Sequence, residues 1–125
     1  MKLRLRTNSL RLRLLRSEVD SLGRGERVEE VITFGPESQL SYALVATDSD
    51  VIRATFEGRS ITIELPAALV RQFVESDLIT IEHQQPIHST SDALTILVEK
   101  DFVCLDREDD PDNADAYPHP NKACP

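Results

Sequence analysis

Four arginines near the N-terminus are the residues whose spacing most clearly suggests a binding surface. Arg4 and Arg6 alternate with leucines in one run, and Arg11 and Arg13 alternate with leucines in the next. Successive side chains of a β-strand point to opposite faces, so a hairpin would place all four guanidinium groups on one face. Like charges opposite each other destabilise a hairpin unless an anion lies between them. The pattern therefore predicts a face that binds an anion or an acidic partner.

The anion can come from the same chain. Glu64 and Glu82 lie in predicted neighbouring strands, Glu29 and Glu30 are also available, and the segment 106–115 is rich in acids. Residues 1–16 carry six bases and no acid, whereas residues 101–125 carry seven acids. The basic head and the acidic tail could therefore meet, within one chain or between two. Because internal acids are plentiful, we expect an internal partner first.

The C-terminal segment contains residue types that zinc accepts. Cys104, His119 and Cys124 supply three ligands, so a structural site with four ligands would need Asp106 or Asp115, or a second chain. The spacing lacks the short C-x₂₋₄-C element that makes zinc motifs specific. A disulfide is the alternative for the two cysteines, but a reducing cytoplasm argues against it. We expect no bound cofactor, with zinc binding as an alternative function.

The chain contains none of the common catalytic motifs. Its four glycines match neither phosphate-binding loop, and G-x-S-x-G, H-E-x-x-H and C-x-x-C are missing from the sequence. An enzyme would need a site of scattered residues such as Arg11, Arg13, Glu29 and Glu30. The sequence therefore favours a non-enzymatic binding or interaction module, with an enzyme of unrecognised site as a further alternative.

Composition narrows the class of partner. The 125 residues are 40% hydrophobic and 29% charged, with a net charge of −8. Such an acidic chain is poorly suited to a phosphate backbone, so we expect no nucleic acid. No apolar run approaches the roughly 20 residues that span a bilayer, so we expect no membrane partner. The N-terminus alternates apolar and basic residues, unlike a signal peptide. We expect a cytoplasmic protein with a protein partner or self-association, including a homodimer.

The arginine pattern requires a hairpin to position it. A two-residue turn at Asn8 and Ser9 would pair Leu5 with Leu12 and would place all the leucines on one face. A bulge over residues 7–9 inside one long strand is the competing solution.

The remaining elements are predicted to be mostly strands. A short helix is predicted over 17–22, and Pro66 followed by apolar residues at helical spacing predicts a helix over 66–75. A polar loop is predicted over 84–91, followed by a strand over 94–105. We expect an α+β, β-rich fold with about seven or eight mostly antiparallel strands in a strongly curved or barrel-like sheet.

The chain has the organisation of a single domain, with a possible internal repeat. Residues 1–105 form the predicted globular domain, and residues 106–125 form an acidic, proline-rich, irregular tail. The order strand, helix, strand, strand occurs over 9–46 and again over 60–99. One interpretation is a duplication, in which the two halves would be related by a pseudo-two-fold axis around one core. The alternative is chance patterning, because few residues of the two stretches are identical.

Several short stretches together resemble a family of small uncharacterised bacterial proteins, a domain of unknown function. The stretches that carry the resemblance are Asn8–Leu14, Ser17–Val19, Val28–Glu30, Phe34–Pro36, Leu40–Leu44, Ile61–Pro66, Leu97–Leu105 and Asp115–Pro120. The resemblance covers nearly the whole chain. It implies a bacterial, cytoplasmic, single-domain protein and no activity, cofactor or catalytic residue.

Overall fold

Strands dominate the fold. The computed structural model describes residues 1–102 together with Asp115 and Tyr117. The described elements, in chain order, are β1 (Lys2–Arg6), β2 (Ser9–Leu14), α1 (Arg16–Gly23), β3 (Val28–Gly35), β4 (Ser38–Thr47), β5 (Arg53–Glu57), β6 (Ser60–Pro66), α2 (Ala67–Glu75), β7 (Thr80–Pro86) and β8 (Ala93–Lys100). This confirms the α+β, β-rich class. The helices predicted over 17–22 and 66–75 correspond to α1 and α2. The predicted irregular tail over 106–125 lies outside the described residues, apart from Asp115 and Tyr117.

The strands form two four-stranded sheets. The first sheet has the order β1-β2-β8-β7, and the second has the order β3-β4-β6-β5. Each sheet contains two antiparallel pairs, and its two inner strands run parallel. The pairing is therefore mostly antiparallel, as predicted, within mixed sheets. No strand ladder joins the two sheets in the described part of the chain, so a single barrel-like sheet is not confirmed. Each sheet buries its apolar face against the other and against the helices, which makes curling of one sheet unnecessary.

The first hairpin differs from its predicted register. Its turn is at Thr7 and Asn8, and Leu5 pairs with Leu10 in place of Leu12. Asn8 adopts a φ of 51°, a left-handed conformation that asparagine accepts more readily than most residues. A register shift of two residues leaves every side chain on the same face. The prediction of a leucine face and an arginine face therefore holds, although the predicted pairs were wrong.

Both helices pack on the core by one apolar side. Val19 and Leu22 of α1 and Val70 and Phe73 of α2 are buried. The helices approach each other closely, because a Cβ atom at Gly23 would come within 3.0 Å of a Val74 methyl group. Neither described helix is long and apolar enough to cross a membrane.

The two halves of the chain have the same order of elements. Strands β1 to β4 with α1 repeat the order of β5 to β8 with α2, and in each half the helix connects two hairpins. The two hairpins of each half lie in different sheets. Each sheet therefore contains one hairpin from each half. The duplication of 9–46 and 60–99 itself stays a prediction, because it concerns the origin of the sequence.

Candidate functional site

The outward side of the first sheet carries a basic face near its β1 edge. We define the basic face by the alternating basic residues of β1 and β2: Lys2, Arg4, Arg6, Arg11 and Arg13. The register places Lys2 opposite Arg13 and Arg4 opposite Arg11. The four predicted arginines therefore share one surface, with two pairs of like charges directly across the hairpin.

A single carboxylate, that of Glu99, forms ion pairs with two of these arginines. Glu99 lies beside Arg13 because β8 runs parallel to β2. Its Oε1 atom lies 2.9 Å from Arg11 Nε and 3.7 Å from Arg13 Nε. The same oxygen is buried and accepts no hydrogen bond from the described residues: the Arg11 N–H does not point at it, and Arg13 lies beyond hydrogen-bond distance. The contact is an ion pair, and it leaves guanidinium donors of Arg11 available.

Two of the acids proposed from the sequence, Glu64 and Glu82, lie away from the arginines of the basic face. Glu64 lies in the second sheet opposite Arg53. Glu82 lies on the first sheet opposite Leu97, which separates it from Arg11. The carboxylate that pairs with Arg11 and Arg13 in the described part of the chain is Glu99. The acidic segment 106–115 lies outside the described residues apart from Asp115, so its contact with the arginines stays a prediction. Sequence reasoning missed Glu99 because only the parallel pairing of distant strands brings it to the arginines.

Arg4 and Arg6 form the open part of the basic face. Both are exposed, and neither forms an ion pair with a carboxylate in the described part of the chain. Together with Ser9, Arg11 and Leu97 they line a surface cavity of about 160 Å³. Lys2 differs from them, because its Nζ lies 3.1 Å from Asp101 Oδ2. None of the residues that line the cavity is acidic, so the cavity offers the guanidinium groups of Arg4 and Arg6 and the hydroxyl of Ser9 as hydrogen-bond donors.

The residues of the scattered enzyme site are not brought together. Arg11 and Arg13 lie beside Glu99 on the first sheet, whereas Glu29 and Glu30 belong to β3 of the second sheet. Glu29 accepts a hydrogen bond of 2.9 Å from Arg27 Nε, and Glu30 accepts one of 3.2 Å from the amino group of Met1. The two carboxylates are thus engaged elsewhere.

The predicted zinc site lies mostly outside the described residues. Cys104, His119 and Cys124 are among those not described. Asp115 is described, and its carboxylate accepts hydrogen bonds from the backbone N–H and the hydroxyl of Ser17. The described residues contain no group of three His, Cys, Asp or Glu side chains that could hold a metal ion. Zinc binding by the C-terminal segment stays a prediction.

A second, apolar cavity lies between the sheets. It has a volume of about 410 Å³, and its lining residues are Leu5, Leu10, Leu40, Ala54, Thr55, Phe56, Ile61 and Leu94. Thr55 supplies the only side-chain polar atom among these lining residues. The lining residues therefore supply no acid or base that could activate the Thr55 hydroxyl.

Comparison with known protein families gives a match over nearly the whole chain. A family model described as a family of unknown function (DUF7009) matches residues 1–121. No curated protein and no solved structure matches the chain.

Proposed function

The chain belongs to a family of unknown function, DUF7009, and we propose that it is a non-enzymatic interaction module that binds an acidic protein segment on its basic face. The observation that supports this proposal is the pair of Arg4 and Arg11, which lie directly opposite each other across the β1–β2 hairpin. Arg4 pairs with no carboxylate of the described residues, and Arg11 shares the Glu99 carboxylate with Arg13.

The pair costs free energy, because the one nearby carboxylate, Glu99, is shared by Arg11 and Arg13 and does not pair with Arg4. Directly opposed like charges on neighbouring strands destabilise by about 0.2–1 kcal/mol. A carboxylate between Arg4 and Arg11 would replace the repulsion by charge-assisted hydrogen bonds, which guanidinium forms with two parallel N–H donors. Arg6 and Ser9 extend the same cavity and supply further donors. The site therefore suits a segment with two or three neighbouring carboxylates.

An acidic protein segment fits better than a nucleic acid. The chain has a net charge of −8, which opposes the approach of a long polyanion. A short segment with few charges experiences less of this long-range repulsion, and β1 is an edge strand that leaves the basic face accessible from one side. The segment could also come from a second copy, because residues 106–115 contain six acids. A homodimer is therefore one form of the proposed interaction.

Binding of a labelled peptide of six glutamates tests the proposal. We expect saturable binding whose affinity falls about tenfold or more between about 50 and 300 mM salt, because screening weakens contacts between exposed charges. The double variant Arg4→Gln/Arg6→Gln should lose most of this binding. Fluorescence anisotropy measures both effects.

The matched control removes two arginines elsewhere. Arg24 and Arg27 are exposed and pair with Glu26 and Glu29. The variant Arg24→Gln/Arg27→Gln changes the net charge equally and should bind like the wild type. Equal losses in both double variants would show a net-charge effect and would overturn the proposal. Tighter binding of a single-stranded DNA of equal charge would overturn the choice of a protein partner.

A measurement of self-association tests whether the acidic segment comes from a second copy of the chain. If a second copy supplies the acidic segment, the wild type should dimerise at low salt and Arg4→Gln/Arg6→Gln should remain monomeric in sedimentation velocity. A wild type that binds the peptide and stays monomeric assigns the site to a different protein.

A further inference from the structure

The first turn of α1 receives its cap from a distant part of the chain. Leu15 occupies the N-cap position and has no side-chain acceptor for the free N–H groups of the first turn. The carboxylate of Asp115 supplies one: its Oδ1 accepts the Ser17 N–H at 3.1 Å, and its Oδ2 accepts the Ser17 hydroxyl. A negative charge is also favourable at this end of a helix.

Tyr117 binds next to the same helix end. Its N–H donates to the Asp101 carbonyl at 2.7 Å, and its ring meets the Phe102 ring edge to face at 6.0 Å. The Arg16 guanidinium and the Lys100 ammonium each lie 5.2 Å from the Tyr117 ring centre. A ring between two cations gains two cation–π contacts.

Lys100 places a nearly buried cation beside the Tyr117 ring. The residue is only 7% exposed. Its Nζ donates to the Ser76 carbonyl at 3.0 Å and lies 5.0 Å from the Phe73 ring centre. No salt bridge joins Lys100 to a carboxylate of the described residues. The ammonium is therefore compensated mainly by the two aromatic rings and one carbonyl, and one of those rings belongs to Tyr117.

We propose that Arg16, Ser17 and Lys100 form a recognition cleft for a segment that carries a carboxylate two residues before an aromatic ring. Asp115 and Tyr117 occupy the cleft in this structure, and the same pattern in a second polypeptide can replace them. The helix end recognises the carboxylate, the two cations recognise the ring, and the Asp101 carbonyl accepts the backbone N–H of the aromatic residue.

Asp115 and Tyr117 make contacts in the cleft that a competing polypeptide segment can replace. The hydrogen bonds between Ser17 and Asp115 are exposed to solvent, and Tyr117 is only half-buried. The occupant belongs to the same chain, so its effective concentration is on the order of millimolar. A free peptide therefore competes poorly with the wild type and binds well once the internal occupant is disabled. The cleft contains none of the four arginines of the basic face, although the side chain of Asp101 pairs with Lys2 of that face. The proposal does not depend on the function proposed for the basic face.

The experiment uses the full chain with its occupant disabled. The variant Asp115→Asn/Tyr117→Ala should bind a labelled peptide with the sequence of residues 112–120 in a 1:1 complex. The wild type should bind the same peptide at least about tenfold more weakly, because its own segment competes. Tyr117→Phe, which keeps the aromatic ring, should behave like the wild type.

Three controls decide the outcome. A peptide with asparagine in place of Asp115 and alanine in place of Tyr117 should not bind. Adding Lys100→Met to the disabled variant should weaken binding about fivefold or more through loss of a cation–π contact, whereas adding Arg53→Gln should not. If the double variant does not fold by circular dichroism, Asp115→Asn alone replaces it. A folded disabled variant that does not bind the peptide, or a wild type that binds it equally well, would overturn the proposal.

Discussion

Lys100 is a charged side chain in an environment that disfavours its charge. Burial lowers the pKa of its ammonium below the usual 10.5, and the negative charge of Asp77 opposes this shift in part. The ammonium also faces Tyr117, whose own pKa is raised by burial and by Asp20. The folded protein thus releases the Lys100 proton at a lower pH than the unfolded chain does.

This pKa difference predicts a pH-dependent stability. Between the lowered pKa of Lys100 and 10.5 the unfolded chain binds more protons than the folded chain, so the free energy of unfolding contributed by Lys100 rises with pH. Below this window both states are protonated and the contribution is constant. We expect the free energy of unfolding of the wild type minus that of Lys100→Met, measured by denaturant unfolding, to rise with pH through this window. The contributions of the tyrosines largely cancel in this difference, because both proteins contain them. A flat or falling difference would contradict the pKa shift.

The best-defined single element is α2. Its apolar residues recur at helical spacing, and Phe73 is among the largest fully buried side chains of the described residues. Val70 is also buried, and Leu69 packs against the core from a partly exposed position. The helix therefore joins the core that the two sheets enclose, and its stability depends on that docking.

Truncation of the central α2 residue should measure this docking. Phe73→Ala should lower the free energy of unfolding by about 3–5 kcal/mol, because it removes buried apolar surface and leaves a cavity. Phe56→Ala is the matched control, since Phe56 is 69% exposed and should change stability little. Thermal and denaturant unfolding give both values. A Phe73→Ala midpoint close to the wild type would show that α2 lies outside the core.

Local pattern predicted the elements well and their long-range pairing poorly. Alternation placed the leucines and arginines of β1 and β2 on opposite faces, because side-chain period depends on neighbouring residues only. It left the hairpin register two residues off, since registers that differ by two bury the same face. Residues 84–86 read as a polar loop but form the end of β7, where Gln85 hydrogen-bonds the backbone of Ala54 with both its amide atoms. A polar residue can therefore occupy a strand when a tertiary partner satisfies it.

The candidate site shows the same limit. The four arginines of the basic face were identifiable because strand alternation alone brings them together. The pairing of Glu99 with Arg11 and Arg13 depends on contacts between the two ends of the chain, and so does the contact of Asp115 with Ser17. Local propensity carries no information about such pairings.

At the scale of the whole molecule, the two halves depend on each other. In the first half β1 and β2 belong to the first sheet, whereas β3 and β4 belong to the second; the second half shows the reverse arrangement. The parallel inner pairs, β2 with β8 and β4 with β6, are the only ladders between halves in the described residues, and each lies at the centre of a sheet. A half on its own would expose the inner edge of both hairpins and one side of the core.

Separated halves should therefore not fold as monomers. Cleaving the chain in the exposed loop at Asp48–Asp50 yields one fragment with β1 to β4 and α1, and another with β5 to β8 and α2. Each fragment alone has two-stranded hairpins, which are marginally stable in water, and half of the shared core. We expect disordered circular dichroism and poor amide dispersion from either fragment as a monomer. An equimolar mixture should recover a 1:1 complex with the spectrum of the intact chain, because the central parallel pairs can then form. A fragment that folds as a stable monomer would contradict this account. It would show that the core does not depend on the pairing of hairpins from the two halves.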